Sequence, residues 1–437
     1  MIPDITVLQF GEGNFLRAFF DWMLQQINDS CGMDHGVFLV QPIPEGRVKV
    51  LLDRPEYTVW LRGMEGGRLQ ERLERVRVIR DGVNPFEDFG KLLRAAEAPG
   101  LRLVVSNTTE AGIHYAPQGV EAPRTFPAML TRALFARFRQ QGSPLAVLPF
   151  ELIERNGQTL KAYVLKHALD WDYPAAFRDY VDACRFYDTL VDRIVPGYPK
   201  DEADELSRRI GGPDPNAVCG EWFHLLVIEG EDGPVFEAFP FRKAGLNVIF
   251  TDRLSFYRER KVRVLNGCHT GSVGTGLLGG VELVRDFALH PTYGQRLRTL
   301  AHEEIVRAFS DNEETHGYAE QVLERFQNPS IQHSLRAIAL NSIAKMNTRV
   351  RPTLVDYHRT FGRWPAVMLE GVADMVELYR RGPVAALPKG PFELADFAQL
   401  PGTSTREILA AFFPGLEGVL LDDMAHAVEA IRPARAA

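Results

Sequence analysis

Lys261, Asn266 and His269 are spaced so that they could serve one reaction centre. They lie in a segment with helical periodicity, where successive residues turn by about 100°, so Asn266 and His269 fall roughly 140° and 80° from Lys261. A lysine whose pKa is lowered by burial can act as a base, an amide NH2 can stabilise a developing alkoxide, and an imidazole can orient a hydroxyl. The alternative is a solvated helix face that carries three common residue types.

The composition indicates what kind of protein must position these residues. The chain has 437 residues, 45% hydrophobic and 24% charged, which predicts a globular protein of two domains. The net charge of -7 argues against nucleic acid as a partner. No apolar run approaches the roughly 20 residues of a membrane helix, and the early first strand leaves no room for a signal peptide. Four scattered cysteines fit reduced thiols. We therefore expect a cytoplasmic protein with no zinc or other metal site.

The opening of the chain predicts a dinucleotide site. Residues 5–10 are apolar enough for a buried parallel strand, and 18–27 have helical periodicity. Between them, Gly11 and Gly13 would let the backbone approach a pyrophosphate at a helix N-terminus. Because Leu16 replaces the third glycine of the usual fingerprint, an ordinary βα turn is the alternative. The residues expected at the cofactor here are Phe10, Gly11, Gly13, Asn14, Phe15 and Arg17.

A second predicted strand, at residues 37–40, ends where the cofactor preference is usually set. Dinucleotide folds commonly place Asp or Glu at this point to hold the ribose hydroxyls. This chain has Gln41, which can hydrogen-bond a ribose but cannot repel a 2′-phosphate, and Arg47 could accept one. The residues alone leave NAD and NADP both open.

Polar residues also follow the later strands of the predicted sheet. After the strand at 101–105 come Ser106, Asn107, Thr108 and Glu110, which suit the nicotinamide half of a cofactor because ligands lie beyond the carboxyl ends of such strands. A polar loop with a helix cap is the alternative.

Two further positions have both a structural and a functional interpretation. Asn156 either faces the substrate or caps the helix predicted at 159–168. Asp192 either forms a structural pair with Arg193 or serves the substrate side, for instance by orienting a histidine.

A basic cluster is predicted on the helix at 334–348. Asn341, Lys345 and Arg349 recur at every fourth residue, which would stack them on one helix face. Beside Lys261 they would suit a carboxylate or a phosphate. Taken alone they are a basic helix face.

The order of the patterns predicts an α/β fold. Strands alternate with helices in the first half, with a further strand at 221–228, and strand signals fade after Arg242. Helical patterns follow at 252–265, 281–287, 294–309, 318–326, 334–348, 371–380, 405–412 and 420–430. We predict a Rossmann-like doubly wound domain with extra strands at 1–245 and a mostly α-helical substrate domain at 246–437, with Lys261 near their junction.

Two motifs resemble the polyol-specific long-chain dehydrogenase/reductase family, also called the mannitol dehydrogenase family. Lys261-x4-Asn266-x2-His269 is similar to its catalytic motif, and Val191-Asp-Arg-Ile-Val-Pro196 to its other hallmark. Residues 9–20, 106–112, 151–157 and 339–345 resemble more narrowly the members that act on hexuronic acids.

The resemblance implies metal-independent hydride transfer between a secondary alcohol and NAD. Lys261 would be the general base, Asn266 would hold the alkoxide and His269 would position the substrate. Asn156 is a candidate second oxyanion donor, although relatives carry their extra asparagine where this chain has Leu152. The substrate would be a small hexuronate or aldonate, whose carboxylate gives Lys345 and Arg349 a role.

Alternatives to this interpretation are a different sugar-acid epimer, a free or phosphorylated polyol as substrate, or an NAD(H)-binding regulatory protein without catalysis. The residues do not decide the epimer, because stereochemical choice depends on pocket shape, nor do they decide between a monomer and a dimer.

Overall fold

The structure, a computed structural model, describes residues 4–108 and 111–431. It divides into two compact units. One comprises the residues up to Arg62 together with Gln70–Leu254, and the other comprises Gly63–Leu69 together with the residues from Ser255 onward. Within the described ranges, we find no helix that combines the length and the apolar character needed to cross a bilayer.

The first unit is built on a parallel sheet. In chain order, the strands up to residue 251 are β1 Val7–Phe10, β2 Val37–Val40, β3 Tyr57–Glu65, β4 Arg68–Val76, β5 Ile79–Val83, β6 Leu103–Ser106, β7 Ala146–Pro149, β8 Arg185–Phe186, β9 Thr189–Asp192, β10 Val218–Glu221, β11 Leu225–Glu229 and β12 Val248–Thr251. Six of them form one sheet in the order β5-β2-β1-β6-β7-β8, with every pairing parallel. Two three-stranded sheets have the orders β10-β3-β4 and β12-β11-β9.

The central strands are apolar because both faces of the sheet are covered. Val7 and Val105 face one hydrophobic core, whereas Leu8 and Val104, their neighbours along the strands, face a second core on the other side. Helices supply the covering layers, which is the arrangement that makes parallel strands continuous hydrophobic runs. In chain order they are α1 Asn14–Ala18, α2 Phe20–Cys31, α3 Val48–Asp53, α4 Phe89–Ala96, α5 Phe126–Arg139, α6 Asn156–Asp170, α7 Ala175–Ala183, α8 Ala203–Ile210 and α9 Pro234–Glu237.

The predicted strand at 221–228 is two strands in the structure, since β10 ends at Glu221 and β11 begins at Leu225 in a different sheet. The break between them arises because the carbonyls of Trp222 and Phe223 accept hydrogen bonds from the Arg193 guanidinium, at 3.3 and 3.1 Å. The expectation that strands end near Arg242 is wrong, because β12 pairs in parallel with β11.

The second unit is mostly helical, as predicted. Its α-helices are α10 Leu254–Arg260, α11 Gly267–Leu278, α12 Val284–Leu289, α13 Pro291–Thr299, α14 Arg307–Phe309, α15 Glu313–Phe326, α16 Leu335–Ala339, α17 Ser342–Lys345, α18 Arg351–Phe361, α19 Ala366–Arg380, α20 Thr405–Phe412 and α21 Gly418–Ile431. π-helical turns occupy Lys261–Asn266, Leu300–Val306 and Met346–Val350, and a short hairpin pairs β13 Val384–Ala385 with β14 Phe392–Glu393. Together with the parallel sheet, this unit confirms the predicted fold class.

Helix α11 was absent from the predicted helices because its sequence is rich in glycine, a poor helix former. Its glycines allow a close helix contact instead. A Cβ added at Gly371 in α19 would lie 1.9 Å from the carbonyl oxygen of Gly271, and one at Gly274 would lie 2.9 Å from the backbone nitrogen of Met375. Helices α11 and α19 therefore pack backbone against backbone.

The single helix predicted at 334–348 is wrong. Helix α16 ends at Ala339, Leu340 is extended, and Asn341 has a left-handed conformation with φ 55° before α17 begins. Asparagine tolerates this conformation better than most residues. Asn341, Lys345 and Arg349 consequently do not form one stacked helix face.

Glu304 connects a π-helical turn to helix α19. Its carboxylate accepts hydrogen bonds from the N–H groups of Val367 and Met368, at 2.7 and 2.8 Å. Because α19 follows Pro365, whose side chain cannot cap a helix, Glu304 satisfies the first N–H groups instead. The side chain is 4% exposed, and burial raises the pKa of Glu304 to about 7.

The raised pKa of Glu304 predicts a pH-dependent contribution to stability. A carboxyl with a pKa above its ordinary value of 4.5 binds more protons when folded than when unfolded, so its contribution is largest at acidic pH and is lost as the pH rises through 7. Between pH 5 and pH 7.5, the free energy of unfolding of Glu304→Gln, measured with urea, should rise by on the order of 2 kcal/mol relative to that of the original protein. Parallel pH profiles of the two proteins would contradict this expectation.

Candidate active site

The turn after β1 has the geometry that a pyrophosphate site needs. Gly11 has a φ of +114°, and its N–H donates to the carbonyl of Val40 at 3.0 Å. A Cβ on Gly11 would lie 2.8 Å from the carbonyl oxygen of Asn107, whereas one on Gly13 would meet nothing within 4 Å. Gly11 thus permits the close approach of two strand ends. Gly13 leaves open space at the N-terminus of α1, beside the half-buried Phe15, where N–H groups favour an anion.

Two of the predicted cofactor residues have their side chains in the core. Phe10 is fully buried, and Arg17 is 1% exposed. The Arg17 guanidinium donates to the carbonyl of Asn216 and to Oδ1 of Asn14 (2.6 Å), and it lies 5.4 Å from the centre of the Tyr57 ring. Phe10 and Arg17 can therefore offer a cofactor only their backbone.

Gln41 holds a loop rather than presenting its amide to a ribose. Its Nε2 donates to the carbonyls of Ile43 and Pro44, both at 2.9 Å, and the residue is 2% exposed. Glu12, between the two glycines of the turn, accepts the N–H of Arg47 at 3.0 Å. The predicted ribose contact of Gln41 is corrected accordingly, and Glu12 is a buried acid of the site that sequence reasoning missed.

The carboxyl ends of β6 and β7 are joined by Glu151. Its carboxylate accepts the Ser106 hydroxyl and both the N–H and the hydroxyl of Thr108, all at 2.9 Å. The Asn107 amide donates to the carbonyl of the residue before Glu151, also at 2.9 Å. Burial raises the pKa of Glu151. These polar residues do lie at the predicted sheet edge, whereas Glu110 lies outside the described residues.

Asn156 is a structural residue. It is fully buried, and its Nδ2 donates to the carbonyls of Pro149 and Glu151, at 2.8 and 3.1 Å. Its Oδ1 accepts the N–H groups of Gly157 and Thr189, at 3.0 and 2.9 Å. Both ends of the amide are committed, which contradicts its prediction as an oxyanion donor. It is the first residue of α6 and not its cap.

Asp192 ends β9 and is 3% exposed. The neighbouring Arg193 binds backbone carbonyls with its guanidinium. It donates to the carbonyls of Ala18 and Phe223, at 2.6 and 3.1 Å, and lies 4.2 Å from the centre of the Trp22 ring. Burial lowers the pKa of Arg193 to about 9. Arg193 therefore joins separate segments of the chain through buried contacts.

In the second unit, Lys261 and Asn266 begin and end one π-helical turn. A π-helix pairs residue i with residue i+5, so residues five apart come to lie on one face, as residues four apart do on an α-helix. Both side chains are half-buried, whereas residues 263–265 between them are buried. Around the helix axis, the π turn thus sets Lys261 and Asn266 closer together than the roughly 140° expected for an α-helix. Such turns are frequent at functional sites.

His269 follows in α11 and is held between two rings. It is 6% exposed, stacks on Phe326 with ring centres 4.2 Å apart, and meets His333 edge-on at 4.7 Å. Burial and the charge of Lys345 lower the pKa of His333. Sequence reasoning missed His333, and no motif marks it. Cys268, beside His269, is fully buried, which raises the pKa of its thiol.

Lys345 is oriented by the corner between α16 and α17. Its Nζ donates to the carbonyls of Ile338 and Leu340, at 2.9 and 2.6 Å. Burial and the charge of Arg349 lower the pKa of Lys345, and burial lowers that of Arg349. Two partly desolvated cations close to each other repel, so an anion bound between them would be favoured.

The motif and the basic residues lie close together in the second unit. A Cβ on Gly267, next to Asn266, would be 3.2 Å from the carbonyl oxygen of Arg349. His333 is in electrostatic contact with Lys345 and in ring contact with His269. The predicted trio and the predicted cations therefore belong to one region, although they do not share the helix geometry expected from the sequence.

Family models identify the class of protein. The mannitol dehydrogenase Rossmann domain matches residues 5–235, and the mannitol dehydrogenase C-terminal domain matches residues 253–383. The chain belongs to the mannitol dehydrogenase family, which confirms the resemblance inferred from the two motifs.

Three relatives named altronate oxidoreductase are similar to the chain over most of its length. The chain is 40% identical over 390 residues to an altronate oxidoreductase of Halalkalibacterium halodurans, covering 87% of this chain and 76% of the relative. It is 38% identical over 382 residues to that of Bacillus subtilis, covering 85% and 79%. It is 38% identical over 386 residues to that of Bacteroides thetaiotaomicron, covering 86% and 80%.

Solved structures share the fold. A substrate-free D-sorbitol dehydrogenase superposes with a TM-score of 0.84 at 21% identity, covering 99% of this chain and 94% of that one. The ternary complex of Pseudomonas fluorescens mannitol 2-dehydrogenase with NAD and D-mannitol gives a TM-score of 0.71 at 20% identity, covering 98% and 94%.

The contrast between Asn156 and Asn266 predicts opposite effects of two alanine substitutions. Asn156→Ala leaves several buried groups without partners, so thermal unfolding should show a loss of about 2–4 kcal/mol, with turnover by the folded fraction changing less than about tenfold. Asn266→Ala should leave stability nearly unchanged and lower kcat by about 10²-fold or more. A stable Asn156→Ala protein with a comparable loss of kcat would restore Asn156 as a catalytic residue.

Proposed function

We propose that the protein is an NAD-dependent oxidoreductase that interconverts D-tagaturonate and D-altronate. Relatives named altronate oxidoreductase, at 38–40% identity over most of both chains, support this substrate. The single structural observation that supports the chemistry is the π turn Lys261–Asn266, in which residues five apart share one face, next to the π turn that contains Arg349.

The glycine turn of the first unit fits the pyrophosphate of NAD. Gly13 leaves open space before α1, and a side chain at Gly11 would collide with the carbonyl of Asn107. We assign the backbone around Gly11 and Gly13, with Asn14 and Phe15, to the pyrophosphate side and the strand end at Ser106–Thr108 to the nicotinamide side. When bound, NADH supplies the hydride for reduction. Because Gln41 holds its own loop, the preference for NAD rests on the family and not on this residue.

The second unit would handle the proton. Lys261 would donate a proton to the carbonyl oxygen during reduction and take it back during oxidation. The Asn266 amide would donate a hydrogen bond to that oxygen as negative charge develops on it. His269, fixed against Phe326, would orient a neighbouring hydroxyl of the sugar acid.

The substrate carboxylate would bind at Lys345 and Arg349. Burial and mutual repulsion lower the pKa of Lys345, and a carboxylate placed there relieves both costs. An uncharged polyol would leave this cation pair uncompensated, which is why a hexuronate is the better substrate. Asp192, buried at the end of β9, is retained as a candidate on the substrate side.

We also propose that the protein works in the cytoplasm. All four cysteines are unpaired, and three of them are buried. Such thiols suit a reducing compartment, where disulfides are rare.

The proposed reaction is tested by following NADH oxidation at 340 nm with tagaturonate, fructuronate and fructose in parallel. Tagaturonate should give the highest kcat/KM, NADPH should replace NADH poorly, and Lys261→Ala should lower kcat by about 10²-fold or more without loss of folding. A preference for fructuronate would change the epimer and keep the mechanism. NADH binding without turnover on any of the three would favour a regulatory protein.

The carboxylate subsite predicts a selective effect of Lys345→Met. KM for tagaturonate should rise about tenfold or more, because a charge-assisted contact is lost, while KM for NADH stays within about twofold. Lys243→Met, which removes a charge from an exposed position of the first unit, is the matched control and should leave both constants unchanged. If Lys345→Met changed KM for tagaturonate and KM for NADH by the same factor, Lys345 would be excluded from substrate binding.

A further inference from the structure

The chain continues beyond the part that the family models match. The C-terminal family domain ends at residue 383, and the structure continues with β13, β14, α20 and α21. Helices α20 and α21 pack on α19, and α20 also packs on α17, the helix that carries Lys345. Residues 384–396 of this extension, a stretch that we call the clasp, also bond to the α16–α17 corner.

Arg336 holds one end of the clasp. From α16, its Nη1 donates to the carbonyl of Pro391 at 2.8 Å, and its Nη2 donates to the carbonyls of Lys389 and Gly390, both at 3.0 Å. The guanidinium also lies 5.8 Å from the centre of the Phe392 ring. Three backbone carbonyls on one guanidinium fix the loop between β13 and β14 against α16.

Asp396 holds the other end and is 3% exposed. Its Oδ2 accepts the N–H of Ile343 at 2.9 Å, and its Oδ1 accepts the Tyr379 hydroxyl at 2.6 Å. Helix α17 begins after Asn341, whose own side chain makes no capping hydrogen bond. Asp396 therefore supplies the cap from a distant part of the chain, and its charge suits the positive end of a helix.

The corner held in this way is the one that orients Lys345. The ammonium donates to the carbonyls of Ile338 and Leu340, on the α16 side, while its backbone belongs to α17. Any shift of α17 relative to α16 would separate Nζ from these carbonyls. The charge of Asp396 also acts on Lys345 and partly offsets the lowering of its pKa.

We infer that Asp396 is a positioning residue for the carboxylate subsite, and that the clasp fixes the Lys345 ammonium where a sugar-acid carboxylate binds. Asp396 acts through the cap on Ile343 and touches no reacting atom. The inference rests on the proposed function for the identity of the ligand. The link between the clasp and α17 does not depend on the proposed function.

The test is Asp396→Asn, which keeps the shape of the side chain and removes its charge. KM for tagaturonate should rise about fivefold, because a charge-assisted cap on α17 is weakened. In contrast, kcat and KM for NADH should stay within about twofold. Hydrogen exchange measured by mass spectrometry should become faster in peptides covering 341–350 and stay unchanged in peptides covering 261–278.

Two controls separate positioning from general destabilisation. Ser404→Ala removes the capping box of α20, in the same extension, and leaves the Asp396 cap on Ile343 in place, so it should lower the melting temperature without changing KM for tagaturonate. Tyr379→Phe removes the Oδ1 partner of Asp396 and keeps the Ile343 cap, so its effect on KM should be the smaller one.

The outcomes distinguish this inference from the proposed function. Unchanged KM for tagaturonate in Asp396→Asn, or unchanged exchange at 341–350, would overturn the positioning role. Equal KM increases in Asp396→Asn and Ser404→Ala would also overturn it, since they would reveal only loosened packing. If the original protein turns over fructuronate instead, the same KM comparison is made with fructuronate. If it turns over no hexuronate, the proposed function fails, and the exchange of 341–350 alone decides for or against the clasp.

Discussion

Backbone hydrogen bonding from residue i to residue i+5 is the constraint on which the candidate reaction centre depends. Between Lys261 and Asn266 this pairing adds one residue to the helical turn and sets the amine and the amide on the same side. The neighbouring π turn at Met346–Val350 contains Arg349 and contacts the first one. Two π turns in contact with each other therefore carry Lys261, Asn266 and Arg349, the residues proposed for the reaction and for the substrate carboxylate.

The first unit uses buried polar groups for a different purpose. Glu12, Gln41, Glu151 and Asn156 all lie at the carboxyl edge of the sheet or in the turn next to it, and all hold neighbouring backbone or hydroxyl groups. Loops that follow parallel strands have few backbone partners of their own, so these side chains supply the missing hydrogen bonds. These hydrogen bonds restrain the strand ends where the cofactor would bind, and a restrained site loses less entropy on binding.

The sequence predicted the parallel strands and the family well, for a physical reason. A strand buried on both faces must be apolar throughout, so the run at Val37–Val40 could be located to the residue. The Lys261–His269 motif could be recognised because its three residues lie within nine positions of the sequence. Residue roles in the first unit were harder to predict, because Gln41 and Arg17 have the chemistry of ligands and only the structure reveals that they are buried and engaged.

Other features had no local signal. A π turn differs from an α turn by one hydrogen-bond step and leaves no clear pattern in residue types. His333 joins the site through contacts with His269 and Lys345, which are distant along the chain. The cap that Asp396 provides spans 53 positions, and glycines that permit helix packing in α11 resemble helix breakers. Long-range contacts thus decided what composition and periodicity left open.

The placement of the thiols has a practical consequence for chemical labelling. Cys268 lies inside the Lys261–His269 motif, yet it is fully buried and its raised pKa keeps it protonated at neutral pH. Cys184 and Cys219 are also buried, with the pKa of each raised to about 11. Cys31, at the end of α2, is the partly exposed one. Since alkylation requires an accessible thiolate, a maleimide dye would attach at Cys31 and report on the first unit, while the Lys261–His269 motif stays chemically unmodified.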